Sequence, residues 1–243
     1  MIRTAAAALA LLLATSALAQ APSPAVSAAV ADAARPAADK ERDANRKPGQ
    51  TVAFAGVKAG DKVAELMPGG GYYTRILAKT VGPNGKVYAL VPAAMASRPG
   101  ALDALNAIAQ ANPNVQVITG DFAAMKLSEP VDVVWTSENY HDFSNAPAGI
   151  AALNKNVLAM LKPGGTFFVE DHNAKAGSAP DVTQKLHRID VARVKQELQA
   201  AGFRLEAEAD HLKNPADPGD IPAGDPSVRG KTDKFALKLR KPA

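Results

Sequence analysis

Apolar and polar positions alternate in two rhythms along most of this chain. Short, almost unbroken apolar runs recur at Val63-Ala64-Glu65-Leu66-Met67, Lys86 to Val91, Val115 to Thr119, Val131 to Trp135 and Thr166 to Glu170. Between them the spacing turns helical. Ile76, Leu77 and Ala78 begin one such stretch, Leu102, Leu105, Ile108 and Ala109 mark a second, and Ile150 to Leu161 a third. Strands that alternate with helices predict a parallel sheet covered on both faces, and near-continuous apolar strands agree with it. Asp190 to Ala201 predicts one more helix, with Asp190 as its N-cap and Gly202 after it. Phe203 to Ala209 and Lys234 to Leu239 then read as two last strands. The loop between them, of about 25 residues, is rich in Pro, Asp and Gly and has no helical period, so the two are expected to pair antiparallel. The predicted fold is α/β: a doubly wound, mostly parallel seven-stranded sheet with a C-terminal antiparallel hairpin.

The front of the chain follows other rules. Arg3, the unbroken apolar run Ala5 to Ala14 and the small-x-small site Ala17-Leu18-Ala19 predict a signal peptide over residues 1–19, cleaved to leave Gln20 first. The run is too short to span a bilayer. The expected location is the periplasm or the exterior, and no membrane span is expected. With no Cys in the chain, neither lipid attachment nor a disulfide is available. Residues 20–38, rich in Ala, Pro and Ser, are expected to be a flexible leader. Residues 39–57 form an N-terminal helical cap that contains the charge cluster Asp39 to Pro48. That cluster is expected to be a solvated helix over one sheet edge; the alternative is that Asp43, Arg46 and Lys47 fold over the glycine turn as a lid. Residues 58–243 make the α/β domain. The 243-residue chain carries a formal net charge of +4, scattered and without aromatic interleaving, so a nucleic-acid partner is not implied.

Chemistry concentrates where strands end. The first strand runs into Pro68-Gly69-Gly70-Gly71-Tyr72 and then a helix. Glycines there let backbone amides approach a ligand, and the helix N-terminus behind them supplies unpaired N–H groups. Glu65 to Tyr72 resembles the first motif of class I S-adenosylmethionine-dependent methyltransferases. Leu161-Lys162-Pro163-Gly164-Gly165 before the fifth strand and Ala201-Gly202-Phe203 resemble further features of that family, whose seven-stranded order matches from about Lys58 to Arg240. The resemblance implies that Glu65, Pro68, Gly69, Gly70, Gly71 and Tyr72 cradle the methionine part of S-adenosylmethionine. It implies that Asp121 meets the adenine amino group with Phe122 stacked nearby, and that Glu138 and Tyr140 lie where the methyl group is transferred. The chain departs from the family at the second strand, where Ala89-Leu90-Val91-Pro92 has no carboxylate for the ribose. Arg46-Lys47-Pro48, Glu138 to Phe143, His187 to Asp190 and the tail from Arg229 also resemble a narrower group of exported predicted methyltransferases, which implies the same label and no substrate.

His141 and His172 follow the fourth and fifth strands directly, each beside a carboxylate. Parallel topology puts both on the sheet edge that carries the glycine turn, where either is a candidate general base. No H-x-H or H-x-x-x-H spacing is present, and no metal is expected. Two functions stand at this point. One is methyl transfer to a small acceptor, with Tyr140 and His141 facing it and His141 or His172 as base. The other is a non-catalytic binding protein for a small molecule on the same scaffold, because fold does not fix function.

Overall fold

The computed structural model describes residues 21–146 and 149–243. The predicted signal peptide and cleavage site lie outside the described residues, apart from the chain that follows them. In chain order the helices are α1 (Pro24–Ala31), α2 (Ala37–Glu41), α3 (Asp43–Arg46), α4 (Pro48–Ala55), α5 (Tyr72–Val81), α6 (Ala93–Ala96), α7 (Asp103–Ala111), α8 (Tyr140–Phe143), α9 (Gly149–Met160), α10 (Val182–Leu186) and α11 (Val191–Ala200). The strands are β1 (Lys62–Leu66), β2 (Lys86–Pro92), β3 (Val115–Gly120), β4 (Val131–Ser137), β5 (Leu161–His172), β6 (Arg204–Ala209) and β7 (Lys234–Arg240). One sheet joins them in the order β3-β2-β1-β4-β5-β7-β6. The first five strands pair in parallel, while β7 runs antiparallel to both β5 and β6. This is the Rossmann-like, seven-stranded arrangement that the alternation of apolar runs predicts.

Side-chain alternation along each strand feeds two separate apolar layers. Val63, Val87, Ala89, Val133, Trp135 and Phe168 face the layer formed with α1, α4, α5 and α7. Ala64, Leu66, Tyr88, Leu90, Val134, Phe167 and Val169 face the layer formed with α9 and α11. Asp190 caps α11 as expected, its side chain accepting from the Ala192 N–H. The fifth strand is longer than its apolar run suggests. It begins at Leu161, and its pairing with β4 shifts register where Lys162-Pro163-Gly164-Gly165 bulges out.

The N-terminal expectation needs two corrections. Residues 24–31 are not a loose leader. Ser23 caps α1 by accepting from Val26 N–H, and Val26 and Ala29 are buried against the layer that contains α5. Two apolar contacts in an Ala-rich stretch suffice to seat it, because Ala has the highest helix propensity. Nor is the charge cluster merely a solvated helix over an edge. Arg35 and Asp43 form a two-bond ion pair, at 2.8 and 2.6 Å, and Tyr72 donates its hydroxyl to Asp43 at 2.6 Å. Arg46 pairs with Glu138, and Arg75 with Asp39 at 2.9 Å. Asp43 and Arg46 thus fold over the glycine turn. Lys47 turns away and donates to the His211 carbonyl.

Candidate functional site

The site is assembled at the carboxyl edge of the sheet, where a switch in strand order leaves a crevice beside β1. The strand continues past Leu66 through Met67, whose φ of 49° is unusual for a residue with a Cβ, into Pro68 and the three glycines. Gly70 has nothing within 4 Å of the position a Cβ would take, and neither has Gly69. Gly71 differs: at φ 81° its Cβ would come within 2.2 Å of the Ile108 side chain. So Gly71 lets α5 close on α7, while Gly69 and Gly70 leave room in front of the turn.

That room is a cleft of about 310 Å³ whose wall includes Glu65, Gly69, Gly70, Tyr72, Arg46 and Glu138. Pro68 and Asp39 also line it; Gly71 stands behind it. Glu65 is almost wholly buried and accepts from the Thr74 hydroxyl at 2.6 Å. Burial, only partly offset by that bond and by Arg46 and Arg75, pushes its carboxyl up to about 7. Asn139 ties the β4 loop to β1: it donates to the Leu66 and Met67 carbonyls and receives the Thr136 hydroxyl. Its neighbour Glu138 adopts φ 58° and sits among three cations, Arg46, Lys234 at 2.8 Å and Arg42 at 3.9 Å. Lys234 is buried, and that desolvation holds its ammonium below the ordinary range despite Glu170 nearby. The Arg46 guanidinium also lies 4.7 Å from the Tyr72 ring centre and 5.5 Å from that of Tyr73.

Two further cavities open from the same edge. An apolar one of about 360 Å³ is lined by Met67, Pro92, Asp121, Phe122 and Phe143. Asp121 and Phe122 therefore stand beyond Met67 rather than against the glycines, and the Phe122 ring meets Phe143 at 5.4 Å. The larger cavity, about 830 Å³, is lined by His141, His172, His187, Arg42, Arg229 and Lys234. Arg42, Arg46, Glu138 and Asp142 border it and the glycine cleft alike.

The histidines meet, with ring centres 6.2 Å apart. They face the larger cavity, however, not the glycine turn. The cause is Asp171, fully buried, which accepts from the His141 backbone N–H at 2.7 Å and lies 2.9 and 3.1 Å from its ring Nδ1. Burial disfavours the imidazolium of His141, but Asp171 outweighs it and the pKa rises. His172 meets the Thr232 hydroxyl through Nδ1, and burial drops its pKa to about 4. Tyr140 does not face an acceptor. It is fully buried, with its hydroxyl accepting from Asn154 at 2.8 Å and pointing to Glu197 at 3.3 Å, and it fastens α8 to α9 and α11. Sequence reasoning also passed over Arg42, Asp39, Asp142 and Lys234 as site residues. The lid alternative for Asp43, Arg46 and Lys47 was the sign in the sequence that the N-terminal arm, α1 to α3, reaches the site.

No family model matches the chain. Solved structures do. It is similar to a S-adenosylmethionine-dependent methyltransferase from Aquifex aeolicus, with 19% identity over 85% of this chain and 98% of the other, and a TM-score of 0.58. Fibrillarin of Aeropyrum pernix, solved with natively bound S-adenosyl-L-methionine, aligns at 19% identity over 75% of this chain and 67% of the other, TM-score 0.51. The [4+2]-cyclase SpnF aligns at 15% identity over 85% and 82%, TM-score 0.60. The fold is that of S-adenosylmethionine-dependent methyltransferases.

Proposed function

We propose that the chain is an exported S-adenosylmethionine-dependent methyltransferase acting on a small acceptor. The observation that carries this is the open space in front of Gly69 and Gly70, beside the buried carboxyl of Glu65. A Cβ at Gly70 would project into that space, so the cradle suits a ligand that needs bare backbone. The donor set suits an amino acid end: Glu65 for an ammonium, Arg42 and Arg46 for a carboxylate. The apolar cavity with Asp121 and Phe122 would take the adenine end. The second strand offers no ribose carboxylate, and Asp39 from α2 is the one the arm brings to the same cleft. When bound, the cofactor supplies an electrophilic methyl group. The protein contributes mainly the positioning of the acceptor. The larger cavity is the acceptor side, where His141, with Nδ1 held by Asp171, is the base, and His172, which burial keeps neutral, stands beside it.

Titration calorimetry of the full mature chain with S-adenosylmethionine and S-adenosylhomocysteine tests the reading. One-to-one binding of both is expected, with loss in Gly70→Val. Absence of heat with either ligand overturns it. One observation favours the alternative, a non-catalytic binding protein: Arg46 and Glu138 already close on each other across the cleft wall, next to a second strand without a carboxylate. That reading expects a ligand in the larger cavity and none at the glycines. Export rests on Arg3, the apolar run and Ala17-Leu18-Ala19. Mass spectrometry of the exported form should find Gln20 first, and an intact Met1 would refute it.

A further inference from the structure

We propose that His141, Asp142 and His187 form a binding site for a divalent metal ion of borderline softness, such as Zn²⁺, on the wall of the larger cavity. One nitrogen from each histidine and one carboxylate oxygen of Asp142 lie within 4.8 Å of one another. His141 Nε2 stands 3.4 Å from Asp142 Oδ1, and His187 Nδ1 stands 3.8 Å from the same oxygen. Tetrahedral ligands at the metal distances Zn²⁺ prefers, about 2.0–2.1 Å, sit roughly 3.4 Å apart. The set therefore closes by an inward movement of His187, whose side chain is the most exposed of the three.

Two features show that the site is built rather than fortuitous. The first is the partner of His141. Asp171, buried at 0% exposure, holds Nδ1 at 2.9 Å, so the Nδ1–H is donated there and the Nε2 lone pair is left for the cavity. A carboxylate behind the imidazole is the usual outer partner of a metal-bound histidine, fixing its tautomer and ring direction. The second is the placing of His187. It takes φ 51°, which non-glycine residues rarely adopt, at the end of α10. It is held there by Arg188, whose buried guanidinium pairs with Asp217 at 2.7 and 3.0 Å and donates to the Ile221 and Asn173 carbonyls. A strained backbone fixed by a buried neighbour presents the imidazole across from Asp142, with ring centres of His141 and His187 at 5.4 Å.

Three protein ligands leave a coordination position open toward the cavity, where Arg42, Arg229 and Lys234 also stand. The combination of a metal and cations suits an anionic ligand that donates oxygen. His172, with its ring centre 6.2 Å from that of His141 and its Nδ1 on Thr232, is a neighbour and not a member of the set.

The test uses the tag-free full chain, stripped of metal, and the metal alone as probe. Zn²⁺ is titrated by calorimetry and Co²⁺ by visible absorption, whose band intensity reports tetrahedral coordination. One equivalent should bind. His187→Ala, an exposed substitution, and Asp142→Asn should each weaken binding by about 100-fold, at least what loss of an outer partner costs. Asp171→Asn should weaken it about 10-fold or more while the three ligands remain. His211→Gln, outside the cluster, should bind as the parent does. Circular dichroism of His187→Ala checks that the fold is kept. No saturable binding near one equivalent, or an unchanged affinity in His187→Ala, overturns the proposal. Neither result bears on cofactor binding at the glycine cleft, which is measured separately.

Discussion

Glu65→Gln isolates the cost of keeping one carboxyl inside the wall of the cleft. Burial raises the Glu65 pKa from 4.5 to about 7. The folded chain therefore holds this proton more tightly than the unfolded chain does. Below pH 4.5 both states are protonated and the residue is neutral in each, so no penalty exists. As pH climbs from 4.5 toward 7, the unfolded chain releases the proton and the folded chain resists, and stability falls. Above 7 both are ionised and the penalty is constant. One unit corresponds to about 1.4 kcal/mol, so the full penalty is roughly 3 kcal/mol. Gln keeps the shape, can still accept from Thr74 through its amide oxygen, and never ionises. Urea denaturation from pH 4 to 9 should give parent and variant similar stability at pH 4. The variant should then gain steadily until about pH 7 and stay roughly 3 kcal/mol ahead beyond it. In the same variant, affinity for a ligand bearing an ammonium group should fall, because the countercharge is gone. Parallel stability curves for the two proteins across the whole range would refute the reasoning, and would mean that Glu65 is solvated in the native state.

Other outcomes follow from the same geometry. Gly70→Val should abolish ligand binding with little loss of stability, whereas Gly71→Val should unfold readily at ordinary urea concentrations, since its Cβ would strike Ile108 at 2.2 Å; equal melting temperatures would contradict the distinction. Tyr140→Phe should cost about 1–3 kcal/mol by stranding the buried Asn154 amide, yet leave ligand affinity unchanged in calorimetry. Arg46→Met should cost about 1–3 kcal/mol and speed proteolytic cleavage between α2 and α4, and a cleavage rate equal to the parent's would argue that the arm is held by other contacts.

Most of the sheet was legible because strands and helices bury apolar residues at different spacings. Val63 to Leu66 and Val131 to Trp135 are nearly all buried, and their runs could be read directly. The N-cap at Asp190 and the glycine turn are local signals, fixed by the neighbouring residues alone. The arm was not legible for the opposite reason. In α1 only Val26 and Ala29 are buried among Ala and Ser, so the sequence carries almost no period. The Arg46–Glu138 pair joins residues 92 positions apart, and charge identity says nothing about which partner a chain will bring back. Tyr140 and His141 show a further limit. On a short helix at a strand end, adjacent residues point to different layers, and only Asn154 and Asp171, supplied by other elements, decide which goes where.

The position of β7 governs when the site can exist. The last of the seven described strands in chain order is inserted between β5 and β6, and its first residue, Lys234, meets both Glu138 and Glu170. A chain still being synthesised lacks this strand, so β5 has an open flank and Glu138 lacks one of its three cations, Arg42, Arg46 and Lys234. The wall shared by both cavities is completed only after residue 234 has emerged. The wall of the cleft thus waits on β7, and a chain that stops before Lys234 would lack it although every glycine of the turn is present.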